Sequence, residues 1–453
     1  AAGHADPCRL AGGRGRRAGL TRAVAGASLD AWLAWLEGLH PRAIDLGLAR
    51  ITEVADRLGL REAGAPVITV AGTNGKGSTV ACLAAMYEAG GYRPGAYTSP
   101  HLLRFNERIR INGMAVDDAT IIEAFRAIDA ARGALTLTYF EFATLAAAWC
   151  FRAAGASPWL LEVGLGGRLD ATNCFNADLA VLTTIDLDHM EWLGDNREAI
   201  AGEKMGIARA GRPIVCADPQ PPARVAERAA ALDAPLWQLG RDYHYAVDGP
   251  RWRWWHGRRD YPDLPRPDWM SEAALANAAG AVMAVSGAHA ALALPPRAVA
   301  EGLAAARLAG RQMAAPGPGA GWLLDVGHNP SAIALLAERL AARGAGSRVR
   351  LAFGLLARKP LEPLIDQLSP VVDEWFVLDL DDAESHPVAN IEAALANAGG
   401  VVIGSGDAGQ ARARLESRST GRDLMVAAGS FRVVEAFMRA GVGACNLSGS
   451  GRN

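Results

Sequence analysis

Long apolar runs, cysteine motifs and a strong net charge are all missing from this sequence of 453 residues. No apolar run comes near the roughly eighteen residues that a membrane-spanning helix needs. The six cysteines are scattered, without the spacing of a metal site or a disulfide framework. The formal net charge of −2 provides no overall field that would attract nucleic acid or an anionic membrane surface. These absences predict a reduced, soluble, cytoplasmic protein without a membrane or nucleic-acid partner.

Lysine is also nearly missing. Of the 46 lysine and arginine residues, only Lys76, Lys204 and Lys359 are lysine. A mutational bias toward arginine codons explains the general pattern, because the exchange has little consequence for a solvated charge. Arginine cannot replace lysine where a small ammonium or a nucleophilic amine is required, since guanidinium is planar and stays charged. The three lysines are therefore stronger functional candidates than lysines usually are.

The two ends of the chain differ from the rest in composition. Residues 1–27 are rich in Ala, Gly and Arg and lack the apolar segment of a secretory signal. We expect residues 1–27 to be a disordered leader and residues 443–453 to be a disordered tail. The chain as a whole is 50% hydrophobic, which is enough to build more than one large core.

Short apolar runs alternate with helix-like stretches in the first part of the chain. Residues 29–60 have the periodicity of two helices, with Ser28 or Asp30 as the first cap. The β-branched run 67–70 is typical of a parallel strand buried on both faces. Similar runs, separated by helix-like segments at 117–131 and 141–154, lie within 158–166, 179–187 and 212–217. This alternation predicts a parallel sheet covered by helices.

Residues 236–266 follow a different pattern, which alternates on both sides of Asp248-Gly249-Pro250 and predicts a β-hairpin. Its interleaved Trp and Arg residues would suit a stacking platform for single-stranded nucleic acid. A packed flap is the simpler interpretation in a chain with no excess of positive charge.

A second α/β unit is predicted after the Gly/Pro-rich segment 314–321. Strand-like runs, each followed by an amphipathic helix, recur at 322–326, 349–355, 375–380, 400–403 and 423–428. The predicted fold is therefore α/β, with a P-loop parallel-sheet ATPase domain at 28–309 and a smaller Rossmann-like domain at 310–442. We expect a ligand cleft between them.

The stretch VITVAGTNGKGSTV, residues 67–80, has the order strand, glycine-rich loop, helix. Such a loop presents backbone N–H groups at the positive end of a helix dipole and suits phosphate. Gly72, Gly75 and Gly77 permit close approach, Lys76 can reach the β- and γ-phosphates, and the hydroxyl of Ser78 or Thr79 can face Mg²⁺. Only two residues separate Gly72 from the Gly75-Lys76 pair, whereas the usual phosphate loop has four. The loop is a variant that predicts nucleotide binding.

Three classes of protein could use this loop. A GTP-controlled switch should also contain Asn-Lys-x-Asp to recognise guanine, and none of the three lysines follows an asparagine. A small-molecule kinase would not require a second α/β domain of this size. A ligase would, since it must bring a further substrate to an activated carboxyl group.

A family resemblance rests on motifs that occur in a fixed order along residues 29–440. They are AGTNGKGST, YTSPHL, TYFEF, EVGLGGRLDATN, DLDHMEWLG, EKMGIARAG, AGR and DVGHNP. The chain resembles the folylpolyglutamate synthases, within the Mur-ligase-like ATP-dependent amide ligases. The stretches LHPRAIDLGLARI and LTYFEFATLAAAWCF are most similar to the bacterial bifunctional dihydrofolate synthase/folylpolyglutamate synthase form.

The resemblance implies an ATP-dependent carboxylate-amine ligase. In such enzymes ATP phosphorylates a carboxylate, the amine of L-glutamate attacks the acyl phosphate, and phosphate leaves. The implied acceptors are dihydropteroate and reduced folates. Polyglutamylation of folates alone is the alternative, and a degenerate nucleotide-binding regulator is disfavoured because every motif position is filled. We expect a monomer.

The resemblance also implies two Mg²⁺ ions, with Ser99, Glu162, His189 and Lys204 as ligands. Glu162 follows an apolar run and should lie at the carboxyl end of a strand, where open α/β sheets bind ligands. Histidine is an unusual ligand for a hard cation. In the family the lysine matching Lys204 is carbamylated by CO₂, which arginine cannot readily undergo, and its survival here agrees with that role. By itself, Lys204 would be interpreted as a surface lysine that begins a helix.

The remaining implied site residues fall into two groups. The nucleotide group comprises Thr73, Asn74, Gly75, Lys76, Gly77, Ser78, Asn277, Arg311, Asp325 and His328, among which Lys76, Arg311 and His328 join His189 and Lys204 as catalytic candidates. The pterin or folate group comprises Asp45, Leu46, Gly47, Leu48, Thr138, Tyr139, Phe140, Glu141, Leu169, Asp170 and Ala171. Arg311 would reach the phosphates when the domains close. Asp170 could equally cap the segment that follows it.

Lys359 is the least constrained of the three lysines. It follows a predicted strand of the second domain, between Arg358 and Pro360, where the family usually has aspartates. One hypothesis is that Lys359 faces the interdomain cleft and helps to hold anionic glutamate or phosphate. The alternative is a solvated loop lysine.

Overall fold

The computed structural model describes residues 27–443 except 43, 268, 344 and 345. The predicted disordered leader and tail therefore lie outside the described residues, apart from Ala27 and Gly443. Within the described part of the chain, no helix is both long and apolar enough to cross a membrane.

Two α/β units, each built on its own sheet, confirm the predicted fold class. The first sheet has eight strands in the order β4-β3-β2-β5-β1-β6-β7-β8. These strands are β1 (Val67–Ala71), β2 (Gly95–Tyr97), β3 (Ile109–Ile111), β4 (Met114–Ala115), β5 (Trp159–Glu162), β6 (Leu179–Leu182), β7 (Ile214–Cys216) and β8 (Leu236–Gln238).

The centre of the first sheet is parallel, as predicted. Strand β1 pairs in parallel with β5 on one side and β6 on the other. All residues of these three strands are buried, because helices cover both faces of the sheet.

One edge of this sheet is antiparallel, a feature that the prediction of a parallel sheet did not include. Strands β2, β3 and β4 pair antiparallel. A tight turn joins β3 to β4, with Asn112 at φ 50° and Gly113 at φ 73°. Asn-Gly is a strong hairpin signal, so the sequence did contain evidence for this edge.

Local sequence explains where the helices of the first unit begin. Ser28 caps the first helix by accepting a hydrogen bond from the Ala31 backbone, and Thr138 and Glu141 form a reciprocal capping box. The helices are α1 (Leu29–Glu37), α2 (Ala49–Arg57), α3 (Lys76–Ala89), α4 (Asp118–Arg132), α5 (Tyr139–Ala153), α6 (Met190–Leu193), α7 (Arg197–Lys204), α8 (Ala223–Ala231), α9 (Glu272–Met283) and α10 (Pro296–Ala305).

Short 3₁₀ segments complete the first unit at Phe105–Arg108, Ala171–Cys174, Met205–Ile207 and Ala290–Leu292, and a π-helical turn spans Ala284–Ala288.

The prediction that Lys204 begins a helix is wrong. Lys204 is the last residue of α7, and Asn196 caps the start of that helix by accepting from the Ala199 backbone. The preceding cap-forming asparagine decides where the helix begins.

The tryptophan-rich segment forms a three-stranded antiparallel sheet rather than a single hairpin. Its strands are β9 (His244–Asp248), β10 (Arg251–His256) and β11 (Arg259–Pro265), in the order β11-β10-β9. Trp252 and Trp254 are fully buried, and the Trp254 indole donates to the Ala279 carbonyl on α9. The segment is a packed flap, because the rings that would stack on nucleotides are in the core.

The second unit contains six strands in the order β12-β13-β17-β14-β15-β16. All neighbours are parallel except β12 and β13. The strands are β12 (Met313–Ala315), β13 (Trp322–Asp325), β14 (Val349–Phe353), β15 (Glu374–Leu378), β16 (Val402–Gly406) and β17 (Leu424–Ala428). The helices that follow the parallel strands are α11 (Pro330–Ala341), α12 (Leu361–Leu368), α13 (Val388–Asn397), α14 (Ala408–Arg418) and α15 (Phe431–Arg439).

The units meet around Leu102, a residue of the first unit. Its side chain is 3% exposed and joins a core cluster formed mainly by the second unit. Gly310, at φ +75°, lies directly beneath it, where a Cβ atom would come within 2.9 Å of Leu102 Cδ1. Glycine is required there both for the backbone conformation and for the close contact.

Candidate active site

The phosphate-binding loop runs from the end of β1 to the start of α3. Gly75 adopts φ +90°, and a Cβ atom there would lie 2.2 Å from Asn277 Nδ2. At Gly72 a Cβ would lie 1.7 Å from the Thr183 hydroxyl oxygen. Both positions require glycine, and the loop places backbone N–H groups at the start of a 14-residue helix.

Neighbouring side chains hold this loop in place. The Thr73 hydroxyl donates to the Asp186 carbonyl at 2.9 Å and accepts from the Asp186 N–H at 3.0 Å. The Thr183 hydroxyl donates to the Asn74 carbonyl at 2.7 Å. The loop is therefore fastened to the segment that follows β6, which contains His189.

Lys76 is the first residue of α3, and its ammonium lies within the loop. Its Nζ donates to the carbonyl oxygens of Gly72 at 3.0 Å and Thr73 at 3.1 Å. Burial lowers the pKa of Lys76, while the Glu162 carboxylate opposes that shift. The Thr79 hydroxyl, one of two candidates to face Mg²⁺, donates to the Gly75 carbonyl at 3.0 Å.

Glu162 ends β5, the strand next to β1, as the sequence predicts. Its carboxylate oxygens lie 3.7 and 3.8 Å from a Cβ built on Gly77, and Oε2 accepts from the Ser99 backbone at 3.1 Å. Burial raises the pKa of Glu162. Ser99, Glu162 and the phosphate loop therefore share one location, and a buried carboxylate there is suited to a cation.

Lys204 lies deep in the same region. The residue is 3% exposed, and burial lowers the pKa of its amine to about 7. Gly167 allows this close packing, because a Cβ there would lie 2.9 Å from the carbonyl oxygens of Glu203 and Lys204. The interpretation of Lys204 as an ordinary surface lysine is wrong.

Two of the candidate metal ligands, His189 and Lys204, are influenced by the charge of Lys76. The Lys76 charge lowers the pKa values of both His189 and Lys204, although burial is the larger cause for each. Burial thus favours neutral His189, which has the lone pair that a metal ligand needs. His189 also adopts a left-handed backbone conformation, φ 51°, which is uncommon for a residue other than glycine.

The donor set can be tested against the chemistry of a magnesium site. In the described part of the chain, no three His, Cys, Asp or Glu side chains are grouped as a metal site. The predicted set contains only two such residues, Glu162 and His189. Ser99 and Glu162 supply the oxygen donors that Mg²⁺ prefers. Lys204 fits only if its neutral amine is converted to an oxygen-bearing group.

Side chains of the second unit reach across to the phosphate loop. Asn74 Nδ2 donates to Asn329 Oδ1 at 3.3 Å and to the Ser331 hydroxyl at 2.8 Å. Asn329 Nδ2 returns a hydrogen bond of 3.1 Å to Asn74 Oδ1. The Arg311 charge lowers the pKa values of Lys76 and Glu162, behind the larger effects of burial and of one another.

Asp325 and His328 lie just beyond, at the end of β13. Asp325 is buried and accepts from the Gln312 N–H at 3.0 Å and from the Gly327 N–H at 2.6 Å. Burial lowers the pKa of His328 to about 4. Its Nδ1 lies 2.9 Å from the Val326 carbonyl, so the neutral ring donates from Nδ1 and leaves Nε2 as an acceptor.

Lys359 makes an ion pair that links the two units. Its Nζ lies 2.6 Å from Asp188 Oδ1, and Lys359 is 6% exposed. Asp188 is the neighbour of His189, and it also accepts from Asn329 Nδ2 at 3.3 Å. Lys359 thus faces the cleft between the units, and the alternative of a solvated loop lysine is wrong.

The predicted acceptor residues form a second group beside the loop. Arg50 Nη1 donates to Asp45 Oδ2 at 2.5 Å, and Arg50 Nη2 lies 3.2 Å from Glu141 Oε1. Arg50 therefore connects the 45–48 and 138–141 stretches. Phe140 packs beneath Gly164, where a Cβ would lie 2.7 Å from its ring.

Asp170 has a clear structural role. Its carboxylate accepts from the backbone N–H groups of Gly164, Leu165 and Thr172 and from the Thr172 hydroxyl, at 2.7 to 3.0 Å. The capping interpretation of Asp170 is confirmed. Contact with a pterin ring stays a prediction.

Comparison with known proteins identifies the family. Residues 310–431 match the family described as "Mur ligase, glutamate ligase domain". The dihydrofolate synthase/folylpolyglutamate synthase of Escherichia coli is 38% identical over 413 residues, which is 90% of this chain and 94% of that protein. The chain belongs to the dihydrofolate synthase/folylpolyglutamate synthase family. The Bacillus subtilis member is 33% identical, covering 75% of this chain and 82% of its own length.

Solved structures of this family have the same fold. One is Escherichia coli FolC in complex with DHPP and ADP, with a TM-score of 0.86, 37% identity, and coverage of 92% of this chain and 98% of that one. Another is the Yersinia pestis bifunctional enzyme with Mn, AMPPNP and L-glutamate bound, with a TM-score of 0.84, 39% identity and the coverage values 92% and 98%.

Three residues that the structure brings to the site were not predicted from the sequence. Asp188, Asn329 and Ser331 join the phosphate-loop side of the cleft to the second unit. Asp188 and Asn329 each lie beside a predicted histidine, within the motifs DLDHMEWLG and DVGHNP. Their polar side chains were the available signal, but their partners are distant in sequence.

The Lys359–Asp188 pair leads to a prediction about substrate binding. Replacing Lys359 with alanine leaves the partly buried Asp188 carboxylate without its cationic partner and weakens the contact between the two units. If substrate binding requires that contact and it is weakened by about 1.4 kcal/mol, the Michaelis constants for ATP and glutamate rise about tenfold. Steady-state kinetics with each substrate varied in turn measure this.

The neighbouring Arg358 supplies a matched control. Its side chain is 54% exposed and lies 3.9 Å from Glu384, so Arg358→Ala should leave both constants near their original values. Unchanged constants in the Lys359 variant would show that the ion pair does not hold the cleft.

Proposed function

We propose that this protein joins L-glutamate to dihydropteroate and to reduced folates, using ATP to activate the acceptor carboxylate. The observation that carries this proposal is the set of contacts around the phosphate loop. The Lys76 ammonium lies within the loop, and the Glu162 carboxylate lies against Gly77. The loop residue Asn74 is hydrogen-bonded to Asn329 and Ser331 of the second unit. One cleft thus combines a phosphate loop, candidate cation ligands and groups supplied by both units.

We propose that the reaction uses a nucleotide and a divalent cation. The family neighbours solved with ADP, or with AMPPNP and Mn, support a nucleotide and a divalent metal. We assign the phosphates to Thr73–Ser78 and the nucleotide further to Asn277, Arg311 and Asp325. The side-chain oxygen of Asn277 is buried against Gly75 and has no hydrogen-bond partner among the described residues, so a ligand donor would satisfy it.

The finer metal proposal is two Mg²⁺ ions held by Ser99, Glu162, His189 and Lys204. Carbamylation of Lys204 by CO₂ provides the oxygen donor that its amine lacks. Bound magnesium would neutralise charge on the phosphates of ATP and on the group being transferred. The buried Glu162 carboxylate and neutral His189 are compatible with that occupancy.

The reaction is proposed to proceed in two transfers. The acceptor carboxylate attacks the γ-phosphorus of ATP, ADP leaves, and an acyl phosphate forms. The glutamate amine then attacks the acyl carbon, and the tetrahedral intermediate expels phosphate. Lys76 and Arg311 would counter the phosphate charge, and the free Nε2 of neutral His328 would accept a proton or a hydrogen bond from a reacting group.

We propose that the two units bind different substrates. Residues 28–309 would bind nucleotide and acceptor, with Asp45–Leu48, Thr138–Glu141 and Leu169–Ala171 around the pterin. Residues 310–442 would close over them and contribute to glutamate binding, with Lys359 as a candidate.

We propose that the enzyme works as a monomer in the cytoplasm. Its described cysteines, Cys82, Cys150, Cys174 and Cys216, are buried and unpaired, which suits a reducing compartment.

Purified protein tests the function directly. It is mixed with ATP, Mg²⁺ and L-glutamate and offered either dihydropteroate or a reduced folate, and both phosphate release and product mass are measured. We expect each acceptor to gain one glutamate residue with phosphate release.

The same assay distinguishes the alternatives. Product from a reduced folate alone would indicate polyglutamylation without dihydrofolate synthesis. Phosphate release without any ligated product from either acceptor would reject the proposed function. Removal of Mg²⁺ with a chelator should stop both reactions.

A further inference from the structure

Arg108 is a cation beside the predicted acceptor residue Tyr139 that no motif argument singled out. It ends the 3₁₀ segment Phe105–Arg108 and is half-buried. Its guanidinium carbon lies 5.8 Å from the Phe105 ring centre and 5.5 Å from that of Tyr139. Tyr139 belongs to the Thr138–Glu141 stretch assigned above to the acceptor.

Within the described part of the chain, one nitrogen of this guanidinium is engaged. Nε donates to His101 Nδ1 at 2.7 Å, which fixes the plane of the group. Among the described residues, Nη1 and Nη2 have no hydrogen bond or ion pair. Because neither nitrogen is engaged by a described residue, both are available to a ligand. Its two free nitrogens form the fork that matches a carboxylate.

The backbone of Arg108 lies next to the segment that contacts Glu162. The Arg108 carbonyl accepts a hydrogen bond from the Thr98 N–H at 2.9 Å, and the following residue, Ser99, donates its N–H to Glu162 Oε2 at 3.1 Å. The guanidinium carbon of Arg108 lies 5.5 Å from the Tyr139 ring centre. Arg108 therefore adjoins both the acceptor stretch at Tyr139 and the segment that contacts the carboxylate beside the phosphate loop.

An acceptor must span that same interval. Its aromatic part would contact the 138–141 stretch, and its carboxylate must reach the γ-phosphate above Lys76 and Glu162. The carboxylate, Glu162 and the phosphates bring several negative charges together there, and cations must offset their repulsion. Lys76, Arg311 and the proposed Mg²⁺ ions are assigned above to the phosphates and Glu162. Arg50 is already paired with Asp45 and Glu141, whereas Arg108, in contact with Tyr139, has no carboxylate partner among the described residues.

We propose that Arg108 binds the carboxylate of the acceptor and aims it at the phosphoryl group. The acceptor class is an aryl carboxylate, or a carboxylate attached to an aryl amide. This proposal rests on the proposed function and names a substrate-binding residue for it. A purely structural alternative is that Arg108 only clamps Phe105 and Tyr139.

A comparison of two ligands separates these roles. Dissociation constants are measured without turnover, in the presence of ADP, for dihydropteroate and for the same molecule with a carboxamide in place of its carboxylate. The unmodified protein should bind the acid about ten- to a hundredfold more tightly, since charge-assisted bidentate hydrogen bonds are lost with the amide. In Arg108→Gln the affinity for the acid should fall by that factor, whereas the affinity for the amide should stay the same.

Two further variants complete the test. Arg108→Lys keeps the charge without the fork and should bind the acid with intermediate affinity. Arg110→Gln is the matched control, because Arg110 lies on β3 and donates to the Gly113 carbonyl at 3.2 Å. It should preserve the preference for the acid.

The result that overturns the proposal is a preference for the acid that survives in Arg108→Gln. An equal loss of affinity for both ligands would show that Arg108 has the structural role only. Failure of the proposed function is distinct, because it would appear as absence of ligated product with the unmodified protein. If Arg108→Gln does not fold, the Arg108→Lys ratio decides between the two roles.

Discussion

The Lys204→Arg protein is expected to lose about a hundred- to a thousandfold in ligase turnover, the usual cost of removing an electrostatic stabiliser of the reacting groups. Lys204 is 3% exposed, and burial lowers the pKa of its amine to about 7. At neutral pH a large fraction is therefore the uncharged amine, which is the form that can add CO₂. Guanidinium stays protonated and offers no oxygen donor. Turnover of both acceptors under saturating ATP and glutamate measures the loss.

Folding and chemistry must be separated in this experiment. The near-ultraviolet circular dichroism spectrum should match that of the unmodified protein, and Arg212→Lys, at a side chain that is 52% exposed, is the control for an exposed exchange. In Lys204→Ala, added acetate or propionate should restore part of the activity, because either supplies a carboxylate. Near-normal turnover of Lys204→Arg would reject the carbamate.

The Lys76→Arg protein is expected to lose about a hundred- to a thousandfold in kcat/KM for ATP. The Lys76 ammonium fits between the carbonyl oxygens of Gly72 and Thr73, at 3.0 and 3.1 Å. A planar guanidinium is too wide for that position and would project toward Glu162 or the phosphates. Steady-state kinetics with ATP varied, and binding of ADP by calorimetry, measure the change.

Lys76→Met separates charge from shape. It removes the ammonium but keeps the length of the side chain, so it should be at least as inactive as Lys76→Arg if positioning of a compact charge is required. If Lys76→Arg retains most activity while Lys76→Met does not, then a positive charge alone is sufficient and the shape argument is wrong.

The elements that sequence predicted best are those governed by local rules. Strand β1, the loop at Gly72–Gly75 and the start of α3 at Lys76 follow from a β-branched run, glycines and the end of the apolar pattern. The antiparallel edge was missed even though Asn112-Gly113 signals its turn, because strands of three and two residues leave little periodicity to detect.

The sequence by itself determined that this chain has a phosphate loop, two α/β units and a rare set of retained lysines. Only the tertiary structure decided which of these residues meet. Asp188 and Lys359 are 171 positions apart, and Asn74 and Asn329 are 255 apart. Periodicity and capping act over a few residues, whereas such contacts depend on how one unit is oriented on the other. That orientation turned Lys359 from an ambiguous loop lysine into a buried partner of the His189 segment.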